Sequence, residues 1–205
     1  MGLYRDQILP RLTDRVCGSA DVTRWRTAAA DGLRGRVVEI GFGSGLNVEH
    51  YPPAVDVVLA VEPVAVARRL AAHRVASSRV PVEYVGLDAQ SLPLADASTD
   101  AALSTFTLCS VPDIRRALTE LRRVIRPGGR FHFLEHGLAP DADAVRWQRR
   151  LEPLQLRLAG GCHLTRDIPA LIADAGFVID HLDQRYARGP RPLAWFTVGV
   201  AVNPG

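Results

Sequence analysis

The chain has 205 residues, 47% of them hydrophobic and 23% charged, and a formal net charge of +3. That size and balance suit one globular domain with a sizeable core and exclude a disordered, collagenous or disulfide-stapled chain. The charge is too mild to mark a nucleic-acid partner, and since every basic residue is Arg and none is Lys, the arginines read as composition bias.

Residues 1–33 read as one or two short helices, with Leu3, Ile8, Leu12 and Val16 sharing a face and Pro10 interrupting it or starting a turn. This helical segment is expected to cover the site. Strands are predicted at 36–41, 55–62, 82–87, 99–106, 129–135, 177–184 and 193–202, and helices near 45–50, 64–76, 113–125, 141–158 and 166–175. Short apolar strands alternating with helices imply a mostly parallel sheet covered on both faces, seven-stranded here. Pro127-Gly128-Gly129 stops the helix at 113–125 and starts the next strand. On that helix Arg115-Arg116 and Arg122-Arg123 mark a solvated face, not a nucleic-acid footprint. Only the loop at 188–192 separates the last two strands, so the final strand is expected to pair antiparallel. No linker or repeat divides residues 1–205, and one domain is expected.

Cys17, Cys109 and Cys162 are scattered and odd in number, with no C-x-x-C pair, which favours a reducing compartment. Met1 to Ala20 carries Arg5, Asp6, Arg11, Asp14 and Arg15, so no signal peptide is visible; the longest apolar stretch, Ala54 to Val61, is broken by Asp56. A soluble cytoplasmic protein without a transmembrane segment is the expectation. Oligomeric state is open, a homodimer included.

The chemistry concentrates where Val37 to Ile40 enters Gly41-Phe42-Gly43-Ser44-Gly45 and a helical pattern follows. Glycines permit positive φ and close approach of a ligand, and a helix N-terminus would offer free N–H groups to an anion. A bare structural turn is the alternative. A dinucleotide fingerprint, G-x-G-x-x-G, would need glycine where Leu46 stands. A nicotinamide dehydrogenase is also disfavoured because a chain without Lys has no Tyr-x-x-x-Lys pair. Glu62-Pro63, about twenty positions after the turn at a strand end, fits a carboxylate accepting from a ribose diol; an acidic helix cap is the other reading.

Glu39 followed by G-x-G-x-G at 41, 43 and 45 resembles the first motif of the class I S-adenosylmethionine (SAM) methyltransferases. The resemblance implies a Rossmann-like α/β fold and SAM as cofactor. It places Glu39, Gly41, Phe42, Gly43, Gly45, Asn47, Glu62, Pro63, Asp88, Ala89, Thr105 and Phe106 about that cofactor. In that class a carboxylate at Asp88 reaches the adenine amino group, and small Ala89 lets the ring lie flat; a plain turn at Asp88 is the alternative. Thr105 to Pro112 should lie beneath the methionine end and line the acceptor pocket. That stretch has no Asn/Asp-Pro-Pro-aromatic tetrad and no acidic pair for Mg²⁺.

Leu108-Cys109-Ser110-Val111, Arg126-Pro127-Gly128-Gly129, Glu135-His136, Trp147-Gln148 and Gly161-Cys162-His163-Leu164-Thr165-Arg166 follow in order. With Asn47, Tyr51-Pro52-Pro53 and Glu62-Pro63 they resemble the alkyl thiol methyltransferases of the methyltransferase-like family, over roughly residues 36–175. Two positions depart from that pattern: Phe42 stands where Cys or Ser is common, and Glu62 where Asp is. The animal members look membrane-anchored through a hydrophobic N-terminus, a run not found in these residues.

The resemblance implies a small, rather apolar acceptor, an alkyl thiol first, with a quinone, phenol or lipid headgroup as the alternative and a non-catalytic SAM binder as a third reading. A thiol supplies its own thiolate and needs little base help. His136 is the first candidate for proton removal and His163 the second, each with a purely structural alternative. Cys109 and Cys162 read as pocket or core residues. Glu135, His136, Cys162 and His163 lack metal-ligand spacing. Trp147 and Trp195 are expected to cap the acceptor pocket, and Trp25 to lie in the core.

Overall fold

The computed structural model describes residues 4–205, so Leu3 lies outside the described residues. After a π-helical turn at Tyr4–Ile8 come two helices, α1 (Leu9–Cys17) and α2 (Ala20–Ala30). Pro10 sits in the first turn of α1, where its missing N–H costs nothing, so it begins that helix. The strands are β1 (Gly35–Ile40), β2 (Val55–Val61), β3 (Val82–Gly86), β4 (Thr99–Thr105), β5 (Ile125–His136), β6 (Val178–Tyr186) and β7 (Trp195–Val202). Between them run α3 (Ala65–Ala76), α4 (Ile114–Val124), α5 (Ala142–Leu158) and α6 (Ile168–Asp174).

The strands form one sheet in the order β3-β2-β1-β4-β5-β7-β6, with β7 antiparallel to both of its neighbours and the other pairings parallel. Alternate side chains of the central strands enter opposite cores. Val38, Leu59, Ala102 and Phe131 pack with Leu118 and Leu121 of α4 and Ile172 of α6. Val37, Val58, Ala101 and Leu103 pack with Ala29 and Ala30 of α2 and Ala71 of α3. The period of two explains why the strands read as nearly continuous apolar runs: both faces are covered.

Two elements differ from expectation. No α-helix forms at 45–50; a single 3₁₀ turn, Val48–His50, takes its place. Pro52 bars Tyr51 from helical backbone, and Tyr51 is extended, with φ −65° and ψ 126°. The glycine turn is therefore not followed by a helix N-terminus. Strand β5 starts at Ile125, before the glycines, because Ile125 pairs with Thr99 ahead of a bulge that carries Arg126 to Gly129. Among the described residues no helix is long and apolar enough to cross a membrane.

Candidate active site

The glycine turn leaves β1 at the carboxyl edge of the sheet, where the neighbouring strands β2, β3 and β4 also end. Gly41, Gly43 and Gly45 have φ of 65°, 61° and 75°, a region costly to any residue with a Cβ. Each glycine has a separate reason. A Cβ at Gly41 would lie 2.0 Å from Thr107 Oγ1, and one at Gly45 would press on Ala71 and Phe42. At Gly43 the nearest atom would be Gly41 O at 3.7 Å, so the turn opens there onto free space.

Glu62, at the end of β2, is nearly buried and braces this turn. Gly43 N–H donates to its Oε2 at 2.8 Å and Val64 N–H to its Oε1 at 2.7 Å. Burial raises its pKa, and those two amide bonds oppose the rise. Glu62, Pro63, Gly41, Asp88, Ala89 and Phe106 line one cleft of about 310 Å³, joined by Thr107 and Ser110. Asp88 accepts from Gln90 N–H at 2.8 Å and from its side-chain amide at 2.9 Å, bonds that lower its pKa. It is thus both a turn residue and part of the cleft wall.

Glu39, Asn47 and Thr105 sit beneath the turn. Asn47 donates to Glu39 Oε1 at 2.9 Å and to Thr105 Oγ1 at 2.9 Å, and Tyr51 donates to Glu39 Oε2 at 2.5 Å. Complete burial pushes Glu39 up to about 7, against the bonds from Tyr51 and Asn47. The remaining member is Arg26 of α2, 5% exposed, which donates to Asn47 Oδ1 at 2.8 Å and Thr105 Oγ1 at 2.9 Å. Sequence reasoning missed Arg26 because one arginine among many, on a weakly amphipathic helix, carries no local signal. Phe42 and Gly45 do not line the cleft: Phe42 is 3% exposed and packs edge-on against Tyr84 at 5.6 Å.

Beyond β4, Phe106 has φ of 53°, rare for a residue with a side chain and costing roughly 1–2 kcal/mol. Its ring meets Phe196 at 5.1 Å, and the Arg26 guanidinium lies 5.5 Å from the ring centroid. The turn after it is gathered by Glu135 of β5, wholly buried. Ser104 Oγ–H (2.7 Å), Thr107 N–H (3.1 Å) and Leu108 N–H (3.0 Å) donate to Glu135 Oε1, and Cys109 N–H (3.2 Å) to Oε2. Burial raises the Glu135 pKa against these four donors. Its carboxylate organises the loop and does not meet His163, whose Nδ1 pairs with Glu152 Oε1 at 3.0 Å.

A second cavity, of about 490 Å³, adjoins the cleft and shares Phe106 and Ser110 with it. Leu9, Leu12, Val16 and Val22 from the N-terminal helices wall one side; Phe196, Leu158 and Leu193 contribute elsewhere. Helix α1 is tied down by Asp14, which pairs with Arg74 of α3 at 2.9 Å. His136, Cys109 and Cys162 line this cavity. His136 Nδ1 lies 3.7 Å from Cys162 Sγ, and its Nε2 is buried without a protein partner. His163 lines neither cavity. The tryptophans correct another expectation: Trp147 is 52% exposed with Arg150 stacked on it, and Trp195 packs on Tyr186, so neither lines this second cavity. Trp25 is only partly buried, against Phe196.

A mostly parallel sheet with a glycine turn after β1, an acidic residue just after β2 and a ligand-sized cleft at the carboxyl edge define a class I SAM-dependent methyltransferase. A family profile described as a methyltransferase domain matches residues 38–133. The chain is 34% identical to human thiol S-methyltransferase TMT1B over 175 residues, 82% of this chain and 69% of that protein. It is 31% identical to the demethylmenaquinone methyltransferase of Renibacterium salmoninarum, over 63% of this chain and 56% of the relative. The solved S-adenosylmethionine dependent methyltransferase from Mesorhizobium loti superposes with a TM-score of 0.65 at 19% identity, covering 90% of this chain and 98% of the other, a likeness of fold. The chain belongs to the SAM-dependent methyltransferase family, and it spans about two thirds of the length of its thiol S-methyltransferase relatives.

Proposed function

We propose that the chain, acting as one domain roofed by its N-terminal helices, methylates a small, rather apolar acceptor, with alkyl thiols as the preferred class. The observation that carries this reading is the second cavity. It touches the cofactor cleft at Phe106 and Ser110, is walled mainly by apolar side chains, and has no carboxylate among its described lining residues.

The residues present fit SAM: the backbone is open at Gly43, Glu62 stands at the cleft, and Asp88 and Ala89 form its far wall. Gly41, Gly43, Glu62, Pro63, Asp88, Ala89 and Phe106 would hold it, with Glu39, Asn47 and Thr105 supporting the turn from below. Bound SAM supplies a methyl group on a sulfonium, already activated for in-line displacement. The chain's own task is to align the acceptor and exclude water, and well-oriented reactants gain on the order of 7–11 kcal/mol that way. Phe106, held at positive φ between the two cavities, fixes where acceptor and donor meet.

In this reading His136, which lines the cavity and whose buried Nε2 has no protein partner, takes the acceptor proton. An alkyl thiol near pKa ~8.5 needs little such help. Thioether formation is therefore expected to rise with pH toward the thiol pKa, and His136→Ala should slow it by about 100-fold, the low end for loss of a general base. A rate series with alkyl thiols against matched phenols and quinols across pH tests both. Turnover of phenols or quinols without thiols would move the assignment to the second acceptor class, which the menaquinone-enzyme relative supports.

Glu62→Ala should weaken SAM by about 1.5–3 kcal/mol, the worth of hydrogen bonds to a charged group. The rate at saturating SAM should change far less, since the ribose lies away from the transferring methyl. Calorimetry with SAM and S-adenosylhomocysteine, beside saturation kinetics, separates the two; intact affinity with lost turnover would end the ribose role.

A further inference from the structure

Three thiols stand in the wall of the proposed acceptor cavity, two of them on adjacent chain segments, and the proposed methyl transfer uses none. Cys109 and Cys162 both line it. Their chain segments run side by side, with His163 N–H donating to Cys109 O at 2.8 Å. His136 Nδ1 is 3.7 Å from Cys162 Sγ, and Ser110 Oγ is 3.5 Å from Cys109 Sγ. The remaining cysteine, Cys17, also borders the cavity, but on α1. The cavity thus holds two cysteines on adjoining chain segments, an imidazole beside one of them, and a mainly apolar lining.

We propose that Cys162 and Cys109 give this cavity a second activity, thiol–disulfide exchange with small apolar disulfides, which releases thiol next to the methyl-transfer site. Cys162, as thiolate, attacks one sulfur of R–S–S–R; a Cys162–S–S–R bond forms, and R–S⁻ leaves with the electron pair of the broken bond. Cys109 then attacks the Cys162 sulfur, forming a Cys109–Cys162 disulfide and expelling the second R–S⁻. The protons given up by the two cysteines end on the two departing thiolates. One external disulfide is reduced to two thiols, two cysteines are oxidised to one cystine, and an excess small thiol restores the pair.

The electrostatics assign the order of the steps. The thiol of Cys109 lowers the Cys162 pKa most, His136 lowers it further, and burial opposes both. Cys109 is raised by the same partner and by burial, so it keeps the shared proton. Cys162 is accordingly the attacking sulfur and Cys109 the resolving one. Cys17 is raised by desolvation and reacts slowly as a thiol. That the released thiol becomes a methyl acceptor rests on the function proposed above; the exchange itself does not.

The test uses the whole, pre-reduced protein with dipropyl disulfide and no SAM, reading propanethiol by headspace gas chromatography and cysteine state by peptide mass mapping. About two equivalents of thiol per protein are expected, with a Cys109–Cys162 cystine. Cys109→Ser should release about one equivalent and retain a propylthio adduct on Cys162, and Cys162→Ser should slow release at least about tenfold. Adducts confined to Cys17, a stable adduct on wild-type Cys162, or no thiol release would each overturn the proposal. Because SAM is absent, such a failure leaves the methyltransferase reading untouched. Conversely, exchange without any thioether formation on adding SAM would retain this proposal and remove the thiol-acceptor one.

Discussion

Glu135→Ala should cost about 4 kcal/mol or more of stability, from four donors that each lose a partner at roughly 1–3 kcal/mol. Those donors, Ser104 Oγ–H and the amides of Thr107, Leu108 and Cys109, have only this carboxylate to bring them together where the loop leaves β4. The loop carries Thr107 and Ser110 into the cleft and Cys109 and Ser110 into the second cavity, the proposed acceptor site. A displacement near 1 Å at such a place is worth about 100-fold in rate, so turnover should fall at least that far. Glu135→Gln separates charge from shape: its oxygen can keep the three donors on Oε1, while its NH₂ would face Cys109 N–H. Most of the stability should return with Gln, but not all of the rate. Urea unfolding and saturation kinetics on both variants check this, and wild-type stability in the Ala variant would refute it.

Arg26→Ala is expected to destabilise the fold by about 3 kcal/mol, the scale for breaking up a buried charged network. Asn47 Oδ1 loses its donor, and Glu39 loses the positive charge that helps to hold its pKa down. The wild type already shows the strain of burying Glu39. Its folded-state pKa of about 7 stands above the ordinary 4.5, so the folded protein keeps a proton that the unfolded chain releases between those values. This group's contribution is full below about pH 4.5 and is lost as pH rises to about 7, by up to about 3 kcal/mol. In Arg26→Ala the window should extend above pH 7; in Glu39→Gln the Glu39 share of the slope should be lost, leaving the smaller part due to Glu62 and Glu135, whose pKa values burial also raises. Stability against pH for the three proteins, measured by denaturant unfolding, decides it, and a flat wild-type profile between pH 5 and 7.5 would refute the assignment.

Much of the architecture was legible because its signals are local. Apolar runs bounded by glycine and proline marked all seven strands, and the loop at 188–192 foretold the antiparallel β7. The spacing of Gly41, Gly43 and Gly45 from Glu62 pointed to the cofactor, since a strand-end turn and the next strand end must be neighbours in a parallel sheet. Pro52 is the local signal against the helix expected at 45–50, since it keeps Tyr51 out of helical backbone.

What the sequence could not determine were contacts between distant segments. Arg26 reaches Thr105 across 79 positions and Ser104 reaches Glu135 across 31, and no periodicity encodes either pairing. His136 and His163 stood first and second as candidates on sequence, and the fold set one in the cavity wall and the other against Glu152. Cys109 and Cys162 were two scattered cysteines until β4 and the segment after α5 ended side by side. Sequence patterning by itself determined the sheet, its covering helices and the place of the glycine turn at a strand end, because each depends on residues within one or two elements. Tertiary structure alone decided which polar groups are buried together, and burial is what makes Glu39 titrate near neutrality and leaves His136 Nε2 without a protein partner in the wall of an apolar cavity.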